Sequence, residues 1–420
     1  MQNKNNEIKG YSIKYGNIVD PKNNEIVDEV LVSYFVHPRS YTTEDICEIN
    51  THGGIIVERK ILNICIENGA RLAEPGEFTK RAFLNGRIDL SQAEAIIDLI
   101  NAKSDMEAKE SINQLKGNLS SNIEKIENKI MDIMVNIEVI IDYPEYDVEE
   151  ITKEKAIEGL NDVKNDLKKL EQSFERGKIL RNGVRTVILG KPNAGKSSLL
   201  NAILNENRAI VSNIEGTTRD TIEEFINVDG ISLKLIDTAG IREAKDEIEK
   251  QGIEKSLNLA NNADLIIAIF DISKPLDGKD EEIIKLIKER EAIIVLNKID
   301  CKPNKEVEER LKKLNIPIIR ISAKNKTNIN LLFNKINEIY CSGKIVNESS
   351  SIITNERHKN QIKIAKKSID DAIKSIENDM PIDISSIYIK QSLEDLGEIT
   401  GKNVSENIVN EIFKKFCLGK

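Results

Sequence analysis

The stretch Gly190-Lys-Pro-Asn-Ala-Gly-Lys-Ser197 decides the fold of the central part of this 420-residue chain. It matches the pattern GxxxxGK[ST], in which a glycine-rich loop turns backbone N–H groups toward the phosphates of a nucleotide. A β-rich run, Thr186–Gly190, precedes the loop, and a helical run, Ser198–Leu204, follows it. A strand before the loop and a helix after it are the context that this pattern requires. The stretch therefore predicts a phosphate site, with Lys196 on the phosphates and Ser197 on Mg²⁺.

A second motif, Asp237-Thr-Ala-Gly240, follows the strand-like run Leu233–Ile236. An acid at the end of a strand is placed to hold Mg²⁺ through water, and Gly240 is able to turn its backbone N–H toward a γ-phosphate. Ile241 follows, where many GTPases have the glutamine that orients the attacking water. Two interpretations stay open: slow hydrolysis that relies on an external activator, or another residue and another charge in place of the glutamine and the arginine finger. An arginine finger is worth about 10³–10⁵ in rate, so a substitute must supply a comparable charge.

Two further motifs predict the choice of base. Asn297-Lys-Ile-Asp300 follows the strand-like run Ala292–Leu296, and Ser322-Ala-Lys324 follows Ile318–Ile321. The carboxylate of Asp300 is able to accept hydrogen bonds from two guanine N–H donors that adenine lacks. Four motifs in order, each at the end of a strand, indicate a guanine-nucleotide-binding domain.

The first part of the chain has a different pattern. From Gly10 to about Asp89, short apolar runs alternate with turns. Val30–Val36 is typical of a strand and Ile55–Asn68 of a short helix, while Glu74–Glu77 contains a Pro-Gly break. This pattern predicts a small α+β domain.

Helical periodicity lies on both sides of the nucleotide-binding part, Val184 to about Tyr340. Apolar residues spaced by three and four come before it at Leu119, Ile123, Ile126, Ile130, Ile133, Ile137 and Ile140, and then at Leu160, Val163, Leu167, Leu170 and Phe174. They come after it at Ile362, Ala365, Ile369, Ala372 and Ile376, and in a last helix at Val404, Ile408, Ile412 and Phe416. Such apolar faces need a partner, and the nearest partner is each other. We therefore expect the α/β unit to be inserted into one helical bundle.

Composition excludes several classes of protein. Charged residues make up 31% and hydrophobic residues 40% of the chain, a globular balance that excludes a fully disordered chain. The 61 basic and 70 acidic residues give a formal charge of -9, so a nucleic-acid site must be a local patch. We expect no membrane span, because no apolar run approaches about 18 residues, and no signal-peptide core. The five cysteines form no CxxC pair, which favours a reducing cytoplasm.

Longer matches indicate one family. The chain resembles the MnmE (TrmE) family of tRNA modification GTPases over essentially all of its length. The matching stretches are Ala209–Asp220, Asp237–Glu243, the C-terminal Phe416-Cys-Leu-Gly-Lys420, Thr51-His-Gly-Gly54, Pro75-Gly-Glu-Phe78, Arg81–Asn85 and Asp89–Ala95. The C-terminal ending and the N-terminal matches separate this family from ribosome-assembly GTPases of the Era or Der type, which the nucleotide motifs alone would also fit.

The resemblance implies a fold class: an α/β P-loop GTPase domain inserted into an α-helical bundle domain, preceded by a small α+β domain for folate binding and dimerisation. The expected boundaries are residues 1–88 for the N-terminal domain, 89–182 and 344–420 for the two halves of the helical domain, and 183–343 for the G domain.

The resemblance also implies a reaction. With an FAD-dependent partner, MnmG (GidA), the family adds aminomethyl or carboxymethylaminomethyl groups to carbon 5 of the tRNA wobble uridine. The implied cofactors are GTP, Mg²⁺, K⁺ and a tetrahydrofolate derivative, in the 5-formyl or methylene form, as one-carbon carrier. The implied assembly is a homodimer that joins MnmG in a heterotetramer and acts on tRNA in the cytoplasm. Glycine and ammonium stay open as nitrogen sources.

The resemblance assigns roles to particular residues. The implied GTP-binding set is Asn193, Ala194, Gly195, Lys196, Ser197, Ser198, Ser212, Asn213, Ile214, Glu215, Gly216, Thr217, Thr218, Asp237, Thr238, Ala239, Gly240, Asn297, Lys298, Asp300, Ser322, Ala323 and Lys324. The implied metal ligands are Ser197 and Thr218 for Mg²⁺, and Asn193, Ser212, Ile214 and Thr217 for K⁺. The implied catalytic residues are Lys196, Gly240 and Glu249, the last of which would orient water.

Further implied sites lie at the two ends of the chain. Glu48, Arg87 and Lys420 match the folate contacts of the family, and Cys417 matches a cysteine that is needed for modification. Four of the implied residues have a plainer interpretation: Glu249 as a solvated helix acid, Glu48 as a strand-face acid, Lys420 as a frayed terminus, and Cys417 as a buried residue at an apolar helix end. Family members also begin with a glycine-rich segment of some forty residues, which this sequence is expected to lack. Such a loss is expected to weaken folate binding and dimerisation.

Two other functions stay open. The first is a GTP-regulated ribosome-assembly or RNA-binding factor, and the second is a helical scaffold with a degenerate nucleotide site, which four intact motifs disfavour. An RNA-binding patch is not evident. A basic cluster at Arg357, His358, Lys359, Lys363, Lys366 and Lys367 is one candidate, although a solvated helix face is the simpler interpretation.

Overall fold

The structure is a computed structural model that describes residues 11–142, 149–204, 224–228, 230–236, 260–341, 352–416 and 419. Within these ranges the strands are β1 Ser12–Val19, β2 Ile26–Phe35, β3 Ile46–Asn50, β4 Val184–Leu189, β5 Glu224–Val228, β6 Ile231–Leu235, β7 Leu265–Asp271, β8 Ala292–Asn297 and β9 Ile318–Arg320. The helices are α1 Ile55–Glu67, α2 Glu77–Leu84, α3 Leu90–Asn101, α4 Asp105–Leu115, α5 Asn118–Asp142, α6 Glu149–Asn182, α7 Lys196–Leu204, α8 Gly278–Ile287, α9 Lys305–Lys312, α10 Ile329–Cys341, α11 Glu356–Glu377, α12 Ile382–Thr400 and α13 Glu406–Phe413.

The chain forms two compact units. The first comprises residues 1–97, 114–164 and 364–420, and the second comprises residues 98–113 and 165–363. Among the described residues, no helix combines the length and the apolar character that crossing a membrane requires.

The first unit contains a three-stranded antiparallel sheet in the order β1-β2-β3. Alternation along β2 turns Val30 and Val32 inward, where they pack with Ile61 of α1. Strand β2 and helix α1 confirm the predicted strand and helix, and the Pro75-Gly76 turn precedes α2 as expected. The α+β character of this part of the sequence is therefore confirmed.

The helices of the first unit bury the apolar stripes that the spacing predicts. Leu119, Ile123, Ile130 and Ile137 of α5 are 0–1% exposed. Helix α5 packs against α12, and Lys402 Nζ, just after α12, lies 2.5 Å from Glu127 Oε2 of α5. Helices that precede and follow the nucleotide-binding part in sequence thus pack together within this unit.

The last helix differs from its prediction. It covers only residues 406–413, so Val404 and Phe416 of the predicted stripe lie outside it. Val409 and Phe413 are buried in addition to Ile412, and they pack against Leu90 and Ala93 of α3. Apolar residues in the flanking loop segments had extended the apparent period beyond the helix.

The second unit is built around a six-stranded sheet in the order β5-β6-β4-β7-β8-β9. Strands β6, β4, β7, β8 and β9 are parallel, as predicted, and β5 pairs with β6 in an antiparallel hairpin, which was not predicted. All residues of β7 and β8 are buried, which is typical of a parallel sheet covered on both faces. The carboxyl ends of β4, β7, β8 and β9 therefore meet at one edge, where predicted motifs follow β4, β8 and β9.

Candidate nucleotide-binding site

The phosphate loop connects β4 to α7. Asn193 and Gly195 have φ values of 62° and 107°, in the left-handed region that favours glycine. A side chain on Gly195 would collide with Nδ2 of Asn297, and one on Gly190 would lie 2.8 Å from the carbonyl oxygen of Ile269. Both glycines are thus required by the close approach of the loop to the sheet, and the predicted loop is confirmed.

Lys196 begins α7, where the backbone N–H groups of a helix N-terminus favour anions. Its Nζ donates to the carbonyl oxygens of Gly190 and Lys191 at 2.7 and 3.1 Å. Burial lowers the pKa of Lys196 because it disfavours the charged ammonium. The lysine is therefore held across the loop, in the position that the pattern assigns to a phosphate-binding lysine.

Asn297 connects the phosphate loop to the loops that the sequence assigns to the base. Its Nδ2 donates to the carbonyl oxygen of Ala194 at 2.9 Å, and its Oδ1 accepts from the backbone N–H of Ala323 at 3.0 Å. Asn297 is 2% exposed, so both bonds are shielded from water. One buried amide therefore joins three of the four predicted motifs.

Asp300 and Ser322 lie together on the base side, as the motifs predict. Ser322 Oγ donates to Asp300 Oδ1 at 2.6 Å, and this hydrogen bond lowers the pKa of Asp300. The carboxylate is therefore ionised at neutral pH and suited to accept from a pair of N–H donors. Guanine presents such a pair on its Watson–Crick edge, whereas adenine does not.

Asp271, at the end of β7, is a site residue that the sequence reasoning missed. Lys298 Nζ lies 2.6 Å from Asp271 Oδ2, and Ser273 donates to Oδ1 of the same carboxylate through its backbone N–H and its hydroxyl. Burial raises the pKa of Asp271, but the bonds to Lys298 and Ser273 outweigh it and lower the pKa. An acid at the carboxyl end of a buried parallel strand was the available signal.

Oxygen donors are present for the implied metals. Ser197 and Asn193 are both exposed on the phosphate loop, and hydroxyl and amide oxygens are the donor type that hard cations prefer. These residues fit a Mg²⁺ and a K⁺ ligand respectively. Other predicted residues lie outside the described ranges: Ser212, Asn213, Ile214, Glu215, Gly216, Thr217, Thr218, Asp237, Thr238, Ala239, Gly240 and Glu249.

The structure places two of the implied folate contacts. Glu48 is exposed on β3 opposite Ser33, and Arg87 is exposed after α2. Arg87 Nη1 donates to the carbonyl oxygen of Tyr41 at 2.6 Å, and its guanidinium lies 4.9 Å from the centre of the Tyr41 ring. Lys420 and Cys417 lie outside the described residues.

The basic cluster considered as an RNA patch is only partly on the surface. His358 is 0% exposed and is therefore unable to contact RNA. The prediction that it contributes to a basic surface cluster is wrong. Lys359 Nζ lies 4.1 Å from the centre of the Phe174 ring. Lys363 and Lys367 are exposed.

Comparisons with known proteins match both the ends and the middle of the chain. The family model described as the MnmE helical domain matches residues 90–417, and that of the GTP-binding protein TrmE N-terminus matches residues 1–87. The tRNA modification GTPase MnmE of Acetivibrio thermocellus is 49% identical over 98% of this chain and 90% of its own length. The protein of the same name from Clostridioides difficile is 50% identical over 99% of this chain and 90% of its own length. These matches do not confirm the expected loss of an N-terminal family segment.

A solved structure also matches in part. The G domain of the T. maritima FeoB iron transporter is 27% identical over 37% of this chain and 98% of that chain, with a TM-score of 0.27.

Proposed function

Because the chain belongs to the MnmE family of tRNA modification GTPases, we propose that it acts on carbon 5 of the wobble uridine of certain tRNAs. The chain is a GTP hydrolase that acts in tRNA modification. The observation that supports the nucleotide half of this proposal is the buried amide of Asn297, which joins the phosphate loop to the loop of Ala323. Asp300, held by Ser322, then selects guanine.

The proposed chemistry adds a carboxymethylaminomethyl or aminomethyl group together with an FAD-dependent partner of the MnmG type. A tetrahydrofolate derivative would supply one carbon at the N-terminal domain, where Glu48 and Arg87 are exposed. Arg87 donates to the carbonyl oxygen of Tyr41, and a guanidinium suits the carboxylates of the glutamate tail of a folate. Lys420 completes the proposed folate contacts, and Cys417 serves the modification step.

We assign the hydrolytic roles as follows. Lys196 binds the β- and γ-phosphates, the backbone N–H of Gly240 binds the γ-phosphate, and Glu249 orients the attacking water. Ser197 and Thr218 would hold Mg²⁺, which supplies charge neutralisation between the phosphates. Asn193, with Ser212, Ile214 and Thr217, would hold K⁺, whose positive charge takes the place of an arginine finger.

The proposed architecture has a G domain, residues 183–343, inserted between the halves 89–182 and 344–420 of one helical domain, after an N-terminal domain of residues 1–88. The packing of α5 against α12 within the first unit supports this order. We further propose a homodimer that joins MnmG in a heterotetramer and works in the cytoplasm, where its tRNA substrate lies.

The experiment that tests this function is nucleoside analysis of tRNA from a strain that lacks the gene. We expect the carbon-5 group of the wobble uridine to be lost, and to return with the wild-type gene but not with Lys196→Ala. Normal modification in the deletion strain would refute the proposal. A ribosome-assembly defect in that strain would then favour a GTPase of the Era or Der type.

A further inference from the structure

Lys191, the second residue of the phosphate loop, pairs with two aspartates at the start of α8. Its Nζ lies 2.6 Å from Asp280 Oδ2 and 3.0 Å from Asp277 Oδ2. The side chains of Lys191 and Asp280 are 13% and 2% exposed, whereas that of Asp277 is 55% exposed. The pair of Lys191 with Asp280 is therefore largely removed from water, where an ion pair is screened little.

Hydrogen bonds within the start of α8, which do not involve Lys191, hold the two aspartates in place. Asp277 is the N-cap of α8, and its Oδ1 accepts from the backbone N–H groups of Lys279 and Asp280 at 3.0 and 3.1 Å. Asp280 Oδ2 in turn accepts from the backbone N–H of Asp277 at 3.1 Å, which completes a capping box. The start of α8 thus presents two carboxylates that its own backbone holds in place, and Lys191 of the phosphate loop is the cation that pairs with them.

The backbone of Lys191 contributes to the phosphate site. Its carbonyl oxygen accepts from Lys196 Nζ at 3.1 Å and from the backbone N–H of Ala194 at 3.2 Å. The residue whose side chain is held by α8 therefore fixes part of the loop that surrounds the phosphates. Burial opposes the charge of Lys191, but the two carboxylates outweigh it and raise the pKa of its ammonium.

We propose that Lys191 and Asp280 are positioning residues for GTP binding and hydrolysis. Their ion pair fixes the first turn of the phosphate loop against α8, and so sets where Lys196 and the loop N–H groups meet the phosphates. Neither residue needs to touch the nucleotide, because the loop transmits their effect. The inference rests on the GTP-hydrolysing activity of the family and adds the residues that prepare its phosphate site.

The test measures nucleotide affinity, kcat and KM in the full chain for Lys191→Met, Asp280→Asn and the double variant. Each single change is expected to weaken binding of fluorescent GTP and GDP analogues about tenfold or more, the size of one charge-assisted hydrogen bond. The double variant is expected to lose no more than the worse single variant, because both changes remove one interaction. Lys191→Arg, which keeps the charge, is expected to restore most of the affinity.

Arg185→Met is the matched control, because it breaks another well-formed ion pair of the same domain. Arg185 Nη2 lies 2.8 Å from Asp264 Oδ1 and Nε lies 3.0 Å from Oδ2, at the amino end of β4 rather than at the phosphate loop. This variant is expected to lower the melting temperature and to keep wild-type nucleotide affinity.

Wild-type affinity in folded Lys191→Met, or losses that add in the double variant, would overturn the inference. A loss of the same size in Arg185→Met would also overturn it, since general destabilisation would then explain the effect. Failure of the wild-type chain to bind GTP would instead overturn the GTPase assignment together with this inference, so the two failures are distinguishable.

Discussion

At the scale of a single residue, we expect Asp300 to decide which base the site accepts. Asp300→Asn replaces an acceptor oxygen by an amide donor, so guanine loses a partner for one N–H while xanthine gains one for its carbonyl. We expect GTP affinity to fall roughly tenfold to a hundredfold and xanthosine triphosphate to become the preferred ligand. Competition titrations with the two nucleotides measure this. Unchanged GTP affinity without a xanthine preference would contradict the assignment of Asp300.

Glu107 is expected to make the stability of the second unit depend on pH. It is 6% exposed, and burial raises its pKa from an ordinary value of 4.5 to about 7; Asp98 also raises it, whereas Lys103 and Arg181 oppose the rise. The folded state therefore holds a proton between pH 4.5 and about 7 that the unfolded state releases, so stability decreases as pH rises through this window.

Glu107→Gln removes this titration and keeps an oxygen to accept from the backbone N–H of Lys103. We expect the variant to gain stability relative to the wild type as pH rises from 5 to 8. Urea unfolding at several pH values measures the difference, and a difference that stays constant across this range would exclude the effect.

Whether a site residue was predictable from the sequence depended on how far along the chain its partners lie. Lys196, Asn297 and Asp300 were predictable because each lies in a short motif whose spacing encodes its task. The partners Asp271 and Asp280 were not, because their cations lie 27 and 89 residues away and only the parallel order of the strands brings them close.

At the scale of elements, helix α6 lies so close to the segment at Ile353 that no side chain fits at Gly177. A Cβ on Gly177 would lie 2.7 Å from the carbonyl carbon of Ile353 and 2.9 Å from Cγ2 of Ile352. Ile353 is held there by its backbone N–H, which donates to Ser173 Oγ of α6 at 3.1 Å. The closest contact is thus with the backbone of Ile353, which is unable to rotate away as a side chain does.

Gly177→Ala is therefore expected to destabilise the protein by about 1–3 kcal/mol, the usual cost of overpacking. Glycine to alanine in a helix otherwise stabilises by up to about 1 kcal/mol. The matched control is Gly278→Ala in α8, where a Cβ has no atom within 4 Å and stability is expected to stay equal or rise. Thermal unfolding of both variants measures the change in stability. An equal change in the two variants would contradict the prediction, because it would show that the segment at Ile353 moves to make room for the added Cβ.

Helices and strands were predictable from the sequence where their apolar spacing continues over many residues. The seam of α5 continues through Leu119 to Ile137, and only one helix face accommodates that spacing. Hairpin β5-β6 was missed because only the run of β6 was predicted as a strand, and its pairing with β5 depends on a local reversal of the chain. Gly230, with φ of 97°, donates its N–H to Asn227 Oδ1 at 2.9 Å.

At the scale of the whole molecule, we expect the proposed K⁺ to link GTP hydrolysis to the pairing of the G domains of two copies of the chain. We expect GTP hydrolysis by the full chain to be at least about tenfold faster in K⁺ than in Na⁺, since an arginine finger is worth about 10³–10⁵. Light scattering with GDP and a fluoride phosphate analogue is expected to rise only in K⁺. Equal rates in the two salts would rule out this mechanism.

Asn193→Ala is expected to abolish the K⁺ response. Asn315→Ala is its matched control, because Asn315 is also exposed and has φ of 56°, close to the 62° of Asn193. Alanine at either position is held in a similar left-handed conformation, so the control separates an effect of backbone strain from the loss of an ion ligand. A K⁺ response that survives in Asn193→Ala would exclude this residue as a ligand.

The bridge made by Asn297 also fixes a length. The span from the loop of Ala323 to the carbonyl of Ala194 is set by one side-chain amide and its bonds of 3.0 and 2.9 Å. GDP and GTP are identical from the base to the β-phosphate. The distance that Asn297 sets between the two loops therefore suits substrate and product equally well. The Asn297 bridge therefore does not distinguish GTP from GDP, and any preference between the two nucleotides has to come from the groups around the γ-phosphate.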